Sequence, residues 1–147
     1  MSSLRHGRTV GLVFFLLLGC AAGEKTVAVQ GTVVKGGKPY TFSTQGLPPG
    51  DEGFRLQFIP QTAQGAGERF SAVFRPDDGT FRVSKANTGG LPPGSYRISL
   101  HRGAFGSADE FKGAFSPDKS PLKVEIPANA SRVEITIDLD SKTATLK

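Results

Sequence analysis

An all-β fold, an antiparallel β-sandwich of seven to eight strands, is the architecture the sequence predicts, and three observations predict it. Nineteen Gly and ten Pro in 147 residues disfavour helix interiors and suit sharp turns between short strands. Eleven Phe with no Trp and one Met fill a strand-built core better than a helical one. The stretch Asp77 to Arg102, DDGTFRVSKANTGGLPPGSYRISLHR, alternates strictly: Phe81 and Val83 against Arg82 and Ser84, then Tyr96, Ile98 and Leu100 against Arg97, Ser99 and His101. Alternation with period two marks strands buried on one face.

The elements follow in order. Val27 to Val34 is a strand rich in β-branched residues, closed at Gly36-Gly37 by a turn that needs positive φ. Tyr40 to Thr44 is expected to pair back as a second strand. Gln45 to Gly53 is a polar corner, and Phe54, Leu56 and Phe58 share one face of a strand that Pro60 should stop. Gln61 to Glu68 is a hairpin loop leading to Phe70, Ala72 and Phe74. Asp78-Gly79 is a hairpin turn, and Leu91-Pro92-Pro93-Gly94 a corner like the earlier Leu47 to Gly50. Gly103 to Ser120 lacks alternation and is expected to lie across an open end with Phe105, Phe111 and Phe115 tucked beneath. Leu122, Val124 and Ile126 mark a strand, Pro127 to Ala130 a turn, and Val133, Ile135, Ile137 and Leu139 the last strand. The domain thus spans residues 27–140, with 141–147 as a C-terminal tail.

The N-terminus carries an address. Arg5 and Arg8 precede an apolar run, Val10 to Leu18, that is under half of the roughly 20 residues a membrane-spanning helix requires. Residues 1–19 therefore read as an export signal, and 20–26 as a modified cysteine and short tether. Leu17-Leu18-Gly19-Cys20 resembles the lipobox of bacterial lipoproteins. That resemblance implies diacylglycerol on the Cys20 thiol, cleavage before Cys20, and a membrane anchor. Cys20 is the sole cysteine, so no intramolecular disulfide competes for it. Ala21, in place of Asp, implies onward sorting to an outer membrane where one exists, facing periplasm or exterior.

The mature residues resemble the carboxypeptidase regulatory-like, transthyretin-like β-sandwich domains. Gly31-Thr32-Val33 with Gly37-Lys38-Pro39 is similar to that family's opening hairpin. Asp78-Gly79-Thr80-Phe81 is similar to its D-G-x-F turn, and Leu91 to Tyr96 to its L-x-x-G-x-Y corner. The similarity runs from Val27 to Leu139, with Thr44 to Gly53 as an insertion. It implies a rigid sandwich in an envelope setting, with no enzymatic activity of its own.

Charge and chemistry narrow the function classes. Removing Arg5 and Arg8 with the leader takes the 18 basic residues to 16, against 13 acidic. That excess of three is dispersed, which argues against a nucleic-acid partner. His101 is the only histidine of the mature chain, so no histidine-based metal motif exists, and no cofactor is expected. Asp77 and Asp78 read as turn residues. The expected function is a non-enzymatic, lipid-anchored binding or accessory module for an envelope protein or glycan. Its loops are Gln45 to Gly53, Gln61 to Glu68 and Gly103 to Ser120, with Phe105, Phe111 and Phe115 as the candidate binding residues. Two alternatives stay open: a structural component self-associating through its first or last strand, and a small hydrolase using His101 with Asp77 or Asp78.

Overall fold

The computed structural model describes residues 25–62, 65–66, 68–83 and 89–147. Cys20, the lipobox residues Leu17, Leu18 and Gly19, and the leader lie outside the described residues. Among the described residues ten strands form one sheet: β1 (Ala28–Lys35), β2 (Lys38–Pro39), β3 (Phe54–Thr62), β4 (Gly65–Ala66), β5 (Phe70–Arg75), β6 (Thr80–Val83), β7 (Gly94–Arg102), β8 (Lys123–Ile126), β9 (Arg132–Asp138) and β10 (Thr143–Leu146). The described residues contain no α-helix, and so none long and apolar enough to cross a membrane.

Local chemistry sets the turns. Gly36 and Gly37 take φ of 59° and 72°, which reverses the chain between Lys35 and Lys38 at no Cβ penalty. Asp78 accepts hydrogen bonds at Oδ1 from Thr80 N–H (2.9 Å) and Thr80 Oγ1–H (2.6 Å), and Gly79 follows at φ 71°. The second strand expected over Tyr40 to Thr44 is shorter than the sequence indicates. Pairing stops at Pro39, and the chain then follows the 76–79 turn, with Phe42 N–H donating to Pro76 O. Pro60 does not stop β3 either. It loses β5 after Phe58↔Phe70 yet stays in register with β7 at Tyr96, because a proline removes one donor without changing the strand's direction.

The order across the sheet is β10-β9-β1-β6-β5-β3-β7-β8, with β2 on β1 and β4 on β3. All pairs are antiparallel except β1 and β9, which run parallel over Ala28↔Arg132 to Val34↔Asp138. The sheet is therefore mixed, which corrects the wholly antiparallel expectation; period-two patterning is identical for both orientations and carries no direction. Residues 141–147 are not a tail. Thr143–Leu146 pairs antiparallel with β9, and this Thr-rich segment, exposed on one side, gives only a weak alternation signal. The first strand is interior, so the free edges are β8 and β10, and these approach one another. The sheet thus curls almost closed.

Inside it lies one core. Val29, Val33, Leu56, Phe58, Phe74, Phe81, Ile98, Leu100, Ile135 and Ile137 are all buried, each on the apolar phase of its strand. Two close approaches hold the wall together: Gly31 lies against Ile135 and the Phe81 ring, and Gly90 lies against Val27. Tyr96 Oη donates to Pro92 O at 2.8 Å, locking the Leu91 to Gly94 corner to β7.

Strand direction gives the sheet two ends. Val27 bridges Leu91 just before β7 begins, so the described chain joins the sheet at the end where β7 starts. The 40–53 segment, the 76–79 turn and the loop after Arg102 sit at the opposite end, where Phe54 faces Arg102 across the register.

Candidate functional site

Two regions collect functional side chains. The first is the loop end. Asp109 organises the 103–113 loop: its Oδ1 accepts from Arg102 N–H (2.9 Å) and Phe111 N–H (3.1 Å), and its Oδ2 from Gly113 N–H (2.9 Å). Burial pushes this carboxyl up, but the three backbone donors outweigh it and the net shift is downward. A carboxyl lowered on folding stabilises above its unfolded value and loses that contribution as pH falls through the folded one. The Arg102, Phe111 and Gly113 amide resonances should therefore titrate together with a midpoint below the ordinary 3.8. Asp109→Asn, which cannot accept from Gly113 through an amide nitrogen, should abolish that titration.

The same loop sorts the three candidate phenylalanines. Phe115 is buried and Phe111 half-buried, the two rings meeting edge-to-face at 5.3 Å. Phe111 also lies 6.1 Å from Tyr40 and 6.3 Å from Phe54. Both rings pack against the core. Phe105 is 84% exposed, contrary to the expectation that it tucks under. Its backbone N–H donates to Asp51 Oδ2, so the ring is presented from an anchored backbone. The loop's second half lies along β7 and does not span an open end: Leu100 N–H donates to Phe115 O and Ile98 N–H to Leu122 O. Arg97 Nη1 reaches Pro117 O and Asp118 O.

Arg102 sits beneath this loop with its side chain 12% exposed. Its guanidinium lies 3.7 Å from the Phe42 ring centroid and donates to Gly53 O at 3.0 Å, with Glu110 at 3.8 Å. Burial raises the Tyr40 hydroxyl pKa, and the nearby Arg102 charge opposes that rise.

The second region is the outward face of the sheet. Registers place His101 opposite Arg55, Val73 opposite Arg82, Arg82 opposite Gln30 and Gln30 opposite Glu134. Leu56 faces Ala72, and one further step sets Arg55 opposite Val73. One row thus crosses β7, β3, β5, β6, β1 and β9 as His101, Arg55, Val73, Arg82, Gln30, Glu134. Arg75 lies two residues beyond Val73 on the same face, opposite Thr80. A shallow groove of about 660 Å³ runs along this face, lined among others by Gln30, Thr32, Val73, Arg75, Arg82 and Glu134. Val73 is 51% exposed. The Arg55 guanidinium lies 5.6 Å from the Phe105 ring centroid, which joins the exposed aromatic to one end of the row.

His101 neighbours Arg55, and its charge reaches Asp51 and Asp109. Asp77 and Asp78 lie in the β5–β6 turn, on the far side of β3, and Asp78 is engaged with Thr80. No three His, Cys, Asp or Glu among the described residues are grouped to hold a metal ion. The outward row escaped sequence reading because registers join residues 30, 55, 73, 82, 101 and 134, far apart in the chain. No family model, curated protein or solved structure matches the chain.

Proposed function

We propose that the chain is a lipid-anchored, non-enzymatic binding module of a bacterial envelope, held by Cys20 and facing outward from its membrane. The observation that carries this reading is the polarity of the sheet. The described chain joins at the Val27–Leu91 end, while the anchored Phe105 and the loops around Asp51 and Asp109 sit at the other. A tether of a few residues after Cys20 keeps the first end near the lipid and turns the second away from it. Loops on a rigid scaffold are where recognition sits.

The finer architecture belongs to the same proposal: a transthyretin-like sandwich of the carboxypeptidase regulatory-like kind. Its support is that the Gly37-Lys38-Pro39, Asp78-Gly79 and Leu91 to Tyr96 motifs each fall at a chain reversal or corner. The approach of β8 to β10 leaves little room for a partner strand and favours binding over self-association by edge pairing.

Membrane fractionation of cells expressing the full chain tests the anchor. The parent should sediment with membranes, carrying the added mass of its acyl chains, since two or more chains are needed for stable attachment. Cys20→Ser should shift it to the soluble fraction; retention on membranes at unchanged mass would overturn the anchor. Crosslinking in the native membrane tests the binding role: a reproducible foreign partner supports it, and links only between copies overturn it in favour of the structural reading.

A further inference from the structure

We infer that the outward sheet face around Val73 is a binding site for an acidic polysaccharide, its carboxylates held by Arg55, Arg82 and Arg75. This rests on the binding-module reading and names the ligand class. Arg55 and Arg82 flank Val73 on the two neighbouring strands, and Arg75 lies on the same face two residues on. All three are exposed, and among the described residues no side-chain hydrogen bond or ion pair engages their guanidinium groups. Three exposed guanidinium groups around one exposed apolar side chain, with Arg55 braced by the Phe105 ring, offer a carboxylate-reading surface. Strands spaced about 4.8 Å apart put Arg55 and Arg82 about 10 Å from one another, a separation suited to carboxylates on an extended sugar chain.

The rest of the face fits sugars. Gln30, Thr32 and Thr80 line the groove and offer donors and acceptors for hydroxyl groups. At one end the Phe105 ring stands in solvent beside Arg55, an apolar plate for the C–H face of a pyranose. The acidic groups present are Asp51 near Arg55, engaged with the Gly53 and Phe105 amides, Asp78 near Arg75, held in its own turn, and Glu134 at the far end of the row. His101 adjoins Arg55 at the other end. A peptide cannot add here as an extra strand, because β3, β5, β6, β1 and β9 are all interior. Their backbone groups serve the ladders, so a ligand on this face is read by side chains alone.

The test is calorimetric titration of the full-length protein in nonionic detergent with hexagalacturonate, its fully methyl-esterified form, poly-glutamate of equal charge and duplex DNA. Hexagalacturonate should bind, more weakly as salt rises. Esterification, which removes the carboxylate charge, should weaken binding by about tenfold or more. Arg55→Gln and Arg82→Gln should each weaken it about three- to tenfold, and the triple variant with Arg75→Gln should abolish it while the thermal midpoint stays near the parent's. Phe105→Ala should weaken the acid and its ester by the same factor. Poly-glutamate or DNA binding as tightly as hexagalacturonate, or binding indifferent to the triple variant, would overturn the assignment. Absence of hexagalacturonate binding would also overturn it; if foreign crosslinks persist in the membrane, the binding-module reading survives that loss.

Discussion

Gly31→Ala is expected to destabilise the domain by about 3–5 kcal/mol, at the severe end for a single substitution. A Cβ built on Gly31 would lie 2.0 Å from Ile135 O and 2.7 Å from Phe81 Cζ. The nearer obstacle is a backbone carbonyl in the parallel β1–β9 ladder, which has no rotamer to move to. Accommodating one methyl group means prising β1 from β9 or expelling the Phe81 ring from the core, and overpacking of a tight wall costs heavily. Gly37→Asn is the control: at φ 72° with nothing within 4 Å, it should cost little, since Asn tolerates that conformation. Urea unfolding of both variants checks the prediction. A Gly31→Ala cost under about 1 kcal/mol, the middle of the ordinary range, would contradict the Gly31↔Ile135 register and with it the parallel pair.

The second large effect is expected at Arg102. Arg102→Leu should cost about 2–4 kcal/mol, summing a partly desolvated cation–π contact with a charge-assisted hydrogen bond and crediting the new apolar contacts. Losses fall on Phe42 and on Gly53 O; Glu110, largely exposed, simply returns to solvent. Arg102→Lys should recover only part, because an ammonium cannot lie flat on a ring while forking to a carbonyl. A purely steric role for Arg102 would leave the Tyr40 ionisation unmoved, whereas removing the charge should raise the Tyr40 pKa further, since Arg102 lowers it in the parent. Ultraviolet titration of tyrosinate in the parent and Arg102→Leu proteins separates the two.

These two residues also mark where sequence reading reached and where it stopped. The alternation of Phe54-Leu56-Phe58, Phe70-Ala72-Phe74 and Tyr96-Ile98-Leu100 identified core faces correctly, since all but the half-buried Ala72 are buried. Asp78-Gly79 and Gly36-Gly37 placed two reversals, because turn chemistry is carried by the residues that make the turn. Gly31 gave no such signal. Its need for a missing side chain comes from Ile135, which lies 104 positions later in the chain. Arg102 only closes the alternating stretch in the sequence and carries no signal of its own, yet the 40–53 and 103–113 loops close over it.

Phe105, Phe111 and Phe115 show the same boundary within a single loop. Their composition marked the segment as special, but nothing in their spacing distinguishes the ring left in solvent from the two that pack. Asp109 makes that choice by drawing three amides onto one carboxylate, and Asp51 fixes the backbone of Phe105 from 54 residues away. Apart from the strand expected over Tyr40 to Thr44 and the stop expected at Pro60, the sequence by itself determined the main strands, their inward faces and the tight turns, because these depend on neighbours within a few residues. The tertiary structure decided the parallel β1–β9 pair, the recruitment of Thr143–Leu146 into the sheet and the row of arginines about Val73. Each of those depends on which distant strands lie 4.8 Å apart, and hydrophobic alternation, the same for every neighbour, carries no record of that choice.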